Sequence, residues 1–204
     1  MRNLFDPTRL SWPQLHDSLH VYVLPDSRFA ASVEPATAAI RQFEYCAPVA
    51  PQWMHATVTR IPWWRGEVGE ASLRRFGETL DAITAGIGAF SIPMVGPVVH
   101  DTSVGVVGEA GAAWGSLLDR TRAAAEQVFG DVRPMPPAPP MPHVSLGYGI
   151  EDCDSGGLEW ALRTVDTPAT LAIAAAYFVA VHANPDDGTF TWDRISSHAL
   201  AIVD

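Results

Sequence analysis

Apolar residues follow two rhythms along the chain, one of period two and one of period three to four. Residues 19 to 26, LHVYVLPD, are β-prone and end on Pro-Asp, which predicts a strand and its turn. Phe29, Val33, Ala36, Ile40 and Phe43 then recur at spacings of four, three, four and three, the stripe of one helical face. APVAP breaks that pattern, and WMHATVTRI (53 to 61) reads as a second strand. Leu73, Phe76, Leu80, Ile83 and Ile87 restore the helical rhythm, and residues 90 to 109 read as two strands joined by a turn. A third helix carries Trp114, Leu117, Leu118, Val128 and Phe129 on its apolar face, with Gly130 placed to end it. RPMPPAPPMP (133 to 142) is too proline-rich for a helix or a central strand and predicts a stiff connector into HVSLGYG. A short helix over 156 to 165 follows. LAIAAAYFVAVHA then reads as one strand, NPDDG as a turn, and TFTWDRI and HALAIV as closing strands.

A coarse repeat runs through this order: a helix, a proline-bearing loop, a histidine-bearing strand and a helix occur twice, with His55 and His143 at matching places. That repeat predicts a two-lobed α+β fold rather than a doubly wound sheet, and no glycine-rich phosphate loop is present. The 204 residues, 48% hydrophobic and 18% charged, suffice for a sizeable core and suit a single two-lobed domain over 1–204. A net charge of −10 removes any general attraction to long nucleic acid or an anionic membrane. No apolar run reaches the roughly 18 residues of a membrane-spanning helix, and the N-terminus lacks the apolar stretch of a secretory signal. The two cysteines, Cys46 and Cys153, are expected as reduced thiols in a cytoplasmic protein.

The candidate chemistry lies in the pattern His-x-Ser/Thr. It occurs at His16, His55, His100 and His143, four of the seven histidines, so the bare pattern decides nothing. Setting separates them: His16 and His100 sit in turn-like sequence, while His182 and His198 carry no such pattern. His55 and His143 sit in apolar strand sequence, where alternate residues share a face. His55, Thr57 and Thr59 would then point one way, and Ala56 and Val58 the other; His143 and Ser145 share a face against Val144 and Leu146. Two facing strands of this kind make a pocket with two imidazoles and two hydroxyls. One neutral histidine can take a proton while one charged histidine gives one, and the hydroxyls can hydrogen-bond oxygens on which charge builds up. This suits phosphate ester cleavage without a metal or other cofactor. The competing reading is that each histidine is an ordinary strand residue with its hydrogen bonds satisfied. His20 and Tyr22 share a face of the first strand and are candidates to line the same groove, with core or edge placement as the alternative.

HATV and PHVSLGYG resemble the paired H-x-[S/T]-hydrophobic signatures of the two-histidine (2H) phosphoesterase superfamily, best known through its 2′-5′ RNA ligase and RNA 2′,3′-cyclic phosphodiesterase branch. The resemblance extends from the opening strand to the closing hairpin with TFTW. It implies a bilobal, pseudo-twofold duplicated fold, with antiparallel sheets lining a central groove and helices outside. It also implies metal-independent cleavage of cyclic phosphodiesters on ribose, with His55, Thr57, His143 and Ser145 as the catalytic set. The implied substrate is a small nucleotide or short RNA. One departure stands out: many relatives carry arginine five residues after the second-motif histidine, where this chain has Tyr148, while Arg60 occupies that offset in the first motif. Strict alternation would turn both residues away from the groove, so a bulge or strand end must intervene if either meets substrate. Trp63 and Trp64 follow the first motif and are candidates for base stacking or for lobe packing. Two rivals remain open at this level: a catalytically silent module that grips nucleotides or RNA ends, and a metal-dependent hydrolase using the histidines as ligands. The second lacks a carboxylate close to either motif.

Overall fold

The computed structural model describes residues 1–8, 16–130 and 132–202. Its elements run β1 (Ser18–Val23), α1 (Ser27–Ile40), β2 (Cys46–Pro48), β3 (Ala56–Trp64), α2 (Glu70–Ala85), β4 (Phe90–Val99), β5 (Ser103–Gly108), α3 (Ala112–Phe129), β6 (His143–Gly149), α4 (Gly156–Leu162), β7 (Ala169–Ile173), β8 (Ala175–Asn184) and β9 (Thr189–Ala199). The strands form two antiparallel sheets, a four-stranded one in the order β3-β1-β8-β9 and a five-stranded one in the order β2-β6-β5-β4-β7. Each sheet holds one of the two strands that carry the His-x-Ser/Thr pairs in apolar setting, β3, which follows directly on His55, in the first and β6, which begins at His143, in the second. Helices α2 and α3 cover the outer face of the first sheet, and α1 and α4 that of the second. The expected α+β architecture, two antiparallel sheets with helices outside, is therefore the observed one.

Local chemistry accounts for most boundaries. Asp26 caps α1 by accepting from the Phe29 amide at 2.8 Å. Gly130 ends α3 at φ +84°, in the left-handed region that costs glycine little. Phe29, Val33, Ala36 and Ile40 are buried as the helical stripe requires, and so are Leu73, Phe76 and Leu80 of α2. Phe43 and Ile87, the last members of each predicted stripe, lie just beyond their helices.

Three features differ from the sequence reading. The short edge strand β2 falls where only a break is expected, because three residues with one proline carry no periodic signal. The long apolar run 171 to 183 is two strands, not one. It pairs with β4 up to Ile173 and then, past Ala174, crosses to the other sheet as β8. The sequence is apolar on both faces through the switch, so no hydrophobic periodicity marks it. The closing segment, read as strands at 189–195 and 198–203, holds one continuous strand, β9, over Thr189–Ala199 along β8; β9 ends before the last residues of the second predicted strand, of which 203 lies outside the described residues.

Candidate active site

The two histidine strands face one another across a groove of about 260 Å³ between the sheets. His55 and Thr57 enter it from the start of β3, and His143 and Ser145 from the start of β6. His20, Tyr22, Arg60 and Tyr148 line it as well.

Arg60 and Tyr148 reach the groove because each histidine strand carries a bulge. In β3, Thr57 pairs with Tyr22 and Thr59 with Val21, leaving Val58 as the extra residue. In β6, Ser145 pairs with Gly105 and Gly147 with Val104, leaving Leu146 extra. One inserted residue inverts the alternation beyond it. Arg60 and Tyr148, five residues after their histidines, thus return to the histidine face. The same bulge corrects the expectation for Thr59, which is fully buried on the helix side and accepts a hydrogen bond from Arg122 of α3 at 3.1 Å.

The histidines are held alike. His55 Nδ1 lies 3.0 Å from the Trp53 carbonyl oxygen, and His143 Nδ1 lies 3.2 Å from that of Met141. A carbonyl only accepts, so each Nδ1 carries the hydrogen and donates it. In the neutral ring this leaves Nε2 unprotonated, as the nitrogen available to a substrate. The hydroxyls are partnered alike too: Thr57 is hydrogen-bonded to the Tyr22 hydroxyl and Ser145 to that of Tyr148. Burial pushes the Tyr148 phenol up to about 12 and the Tyr22 phenol well above its ordinary range, so both stay protonated.

The surroundings of the two histidines differ. The His55 ring stacks on Tyr22, with centroids 4.0 Å apart and planes 17° apart, and meets the edge of Trp192 at 5.0 Å. This aromatic enclosure desolvates the imidazolium and lowers the His55 pKa to about 4; the Trp53 carbonyl opposes that shift, and His143 adds a smaller push downward. His20 is likewise held neutral, chiefly by burial and then by Arg60 and His55. Its Nε2 lies 3.1 Å from the Ser18 hydroxyl, while its Nδ1 is buried with no hydrogen-bond partner.

Trp63 does not join the groove. Its ring packs against the core beneath the Arg133 guanidinium, 4.2 Å from the ring centroid, so the structure places it as lobe packing rather than as a stacking surface. The groove's aromatic walls come instead from Tyr22, Tyr148 and Phe190, with Trp192 behind Tyr22 at 5.3 Å. Phe190 and Trp192 alternate along β9, and F-x-W in TFTWD is the sequence signal that could have singled them out. Leu4 and Thr102 also line the groove from irregular segments, and Ser103 from the first residue of β5; their sequence carries no such signal. No aspartate or glutamate lines it among the described residues. The donor set is imidazole, hydroxyl and guanidinium, which suits an oxyanion and offers no carboxylate to a hard cation.

No protein-family model matches the sequence, and no curated protein matches it. Solved structures do match its fold. TT0787 of Thermus thermophilus superposes with a TM-score of 0.67 at 19% identity, over 90% of this chain and 97% of that one. LigT of E. coli complexed with NADP+ superposes at 0.63 and 15% identity, and complexed with 3′-AMP at 0.62 and 14%, each over 91% of this chain and 98% of LigT. The chain has the 2H phosphoesterase fold; at these identities the likeness is one of fold.

Proposed function

We propose that the protein is a metal-independent phosphoesterase acting, as one bilobal unit, on a 2′,3′-cyclic phosphate or a 2′-5′ linkage of a nucleotide or short RNA. The observation that carries this reading is the matched pair of histidines. Both fix Nδ1–H on the carbonyl two residues upstream, and both stand beside a hydroxyl that a tyrosine holds. His55, kept neutral by its aromatic enclosure, is the base; it takes the proton of the attacking water or hydroxyl on Nε2. His143, in its protonated form, gives a proton to the leaving ribose oxygen. Thr57 and Ser145 donate to the non-bridging oxygens, and Tyr22 and Tyr148 fix their direction. Arg60 is the single guanidinium in the groove among the described residues and balances the phosphate charge. The unpartnered Nδ1 of His20 is a polar group for the substrate to satisfy. The complexes of E. coli LigT with 3′-AMP and NADP+ are consistent with a ligand of nucleotide size.

The test is a panel of 2′,3′-cyclic nucleotides and 2′-5′ dinucleotides incubated with purified protein, with products identified by mass. Turnover of at least one substrate, unchanged by EDTA, is expected. Loss with chelator and recovery with zinc or manganese would favour the metal-dependent rival; binding without turnover would favour the silent module.

A further inference from the structure

A second constellation lies on the opposite face of the first sheet. Ser196 and His198 alternate along β9 and point toward α2. The Ser196 Oγ is 2.8 Å from His198 Nε2, and His198 Nδ1 is 2.7 Å from Asp81 Oδ1 of α2. The aspartate accepts, so Nδ1 carries the hydrogen and Nε2 accepts from the serine hydroxyl. The connectivity is that of a hydrolytic triad: nucleophile to Nε2, orienting carboxylate to Nδ1.

The surroundings supply what such a triad needs. A cleft of about 380 Å³ opens beside it, between α2 and β9, with Leu73 and Ile195 as apolar wall and Arg74 and Glu78 among its lining. Gly77 of α2 stands opposite the pair, and a Cβ there would lie 3.5 Å from the Ser196 Oγ. His198 is only 1% exposed, whereas Ser196 is half-buried and Ser197 exposed, so the nucleophile can be reached and its base is shielded. β9 is the free edge of its sheet. Leu200 N–H donates to the Ala174 carbonyl at 2.8 Å, and alternation from that bond turns the backbone of Ser197 outward, away from β8. An amide directly after the nucleophile and free of the ladder is a donor for a developing oxyanion.

We propose that Ser196, His198 and Asp81 form a second catalytic site, independent of the groove, that hydrolyses short acyl esters. Ser196 Oγ bonds to the acyl carbon while His198 Nε2 takes its proton. The carbon–oxygen bond to the leaving alcohol breaks, and that oxygen receives the proton from Nε2. Water then attacks the acyl-serine with the same proton relay, releasing the carboxylic acid and restoring the hydroxyl. Ser196 and His198 are catalytic; Asp81 is a positioning residue that holds the imidazole tautomer.

The experiment treats the intact protein with a fluorophosphonate probe and maps the adduct by peptide mass spectrometry, alongside hydrolysis of p-nitrophenyl acetate. One adduct per chain on Ser196 is expected, absent in Ser196→Ala. Because His198 is buried and its loss can unfold the chain, the base is tested through Asp81→Asn, whose side chain is 67% exposed. That variant should keep its melting temperature, label and hydrolyse at least ~10²-fold more slowly, and be partly rescued in Asp81→Glu. No adduct on the wild type at saturating probe, an adduct on Ser145 or Thr57 instead, or labelling undiminished by Asp81→Asn would each overturn the proposal and leave a buried histidine with its hydrogen bonds satisfied.

Discussion

At the scale of single residues, the two histidines of the groove share a hydrogen-bond pattern but not an environment. Replacing either His55 or His143 with alanine should cost at least ~10²-fold in turnover, the usual scale for removing a general acid or base. Neither ring anchors the core, so melting temperatures should move little. The enclosure of His55 adds a pH signature. Its folded pKa is lowered to about 4, so the ring stays neutral, and able to accept a proton, throughout the range above that value. The acid limb of kcat/KM should therefore fall near pH 4 rather than near the ordinary histidine value of about 6.5. A profile measured on a confirmed substrate checks this; an acid limb near 6.5 would mean that stacking on Tyr22 and Trp192 does not govern the base. Tyr148 invites a finer cut. Tyr148→Phe keeps the edge contacts with Phe5 and Phe190, at 6.0 and 5.2 Å, and removes only the hydroxyl that holds Ser145. A fall in kcat of about tenfold with KM nearly unchanged is expected, since that hydroxyl acts through transition-state contacts. A pure KM effect in steady-state kinetics would make Ser145 a ground-state ligand.

At the scale of elements, the bulges in β3 and β6 bring the fifth residue after each histidine back into the groove. Strict alternation was enough to set His55 beside Thr57 and His143 beside Ser145. It could not tell where Arg60, Thr59 and Tyr148 would point, because Val58 and Leu146 look like any other apolar strand residue. The switch of sheets at Ala174 was hidden for a related reason: the run is apolar on both sides of it and carries no turn residue. F-x-W marked Phe190 and Trp192 as sharing a face, but the place of Trp192 beside His55 depends on how the closing hairpin packs, a tertiary fact. The pairing of β5 with β6 holds the second bulge in place, and Gly105 is its tightest point. It pairs with Ser145, and a Cβ there would lie 2.8 Å from the Val144 carbonyl oxygen. The oxygen belongs to backbone and a Cβ is fixed rigidly to its own, so the contact can be relieved only by moving a strand. Gly105→Ala should cost about 1–3 kcal/mol, the range for overpacking, and should lower kcat by displacing Ser145. Denaturant midpoints and turnover measured together check both; a variant with native stability and activity would show that the ladder yields there without disturbing the site.

At the scale of the whole molecule, charge is divided unevenly. The chain carries 13 basic residues against 23 acidic ones, yet no carboxylate lines the groove among the described residues. Arg60 faces the groove, but the arginines packed around its strand are committed elsewhere. Arg133 is bound to Glu67 and covers Trp63, Arg65 lies 4.0 Å from Asp193, and Arg122 holds Thr59 and the Pro136 carbonyl. The groove can therefore neutralise one phosphate, while the surface beyond it repels the next. Long RNA is held mainly by many such phosphate contacts, and a protein making 6–10 of them loses about 10³-fold or more in affinity between 50 and 200 mM salt. A ligand gripped by one arginine, two hydroxyls and aromatic walls escapes most of that dependence. Extending a cyclic-phosphate oligonucleotide from two to ten nucleotides should thus change kcat/KM by no more than a few-fold, and raising salt over that range should change it less than about tenfold. Kinetics on the length series at both salt concentrations make the test. A steep gain with length that salt abolishes would mean that substrate is tracked along a basic path outside the groove, and the reading of a small nucleotide substrate would fall with it.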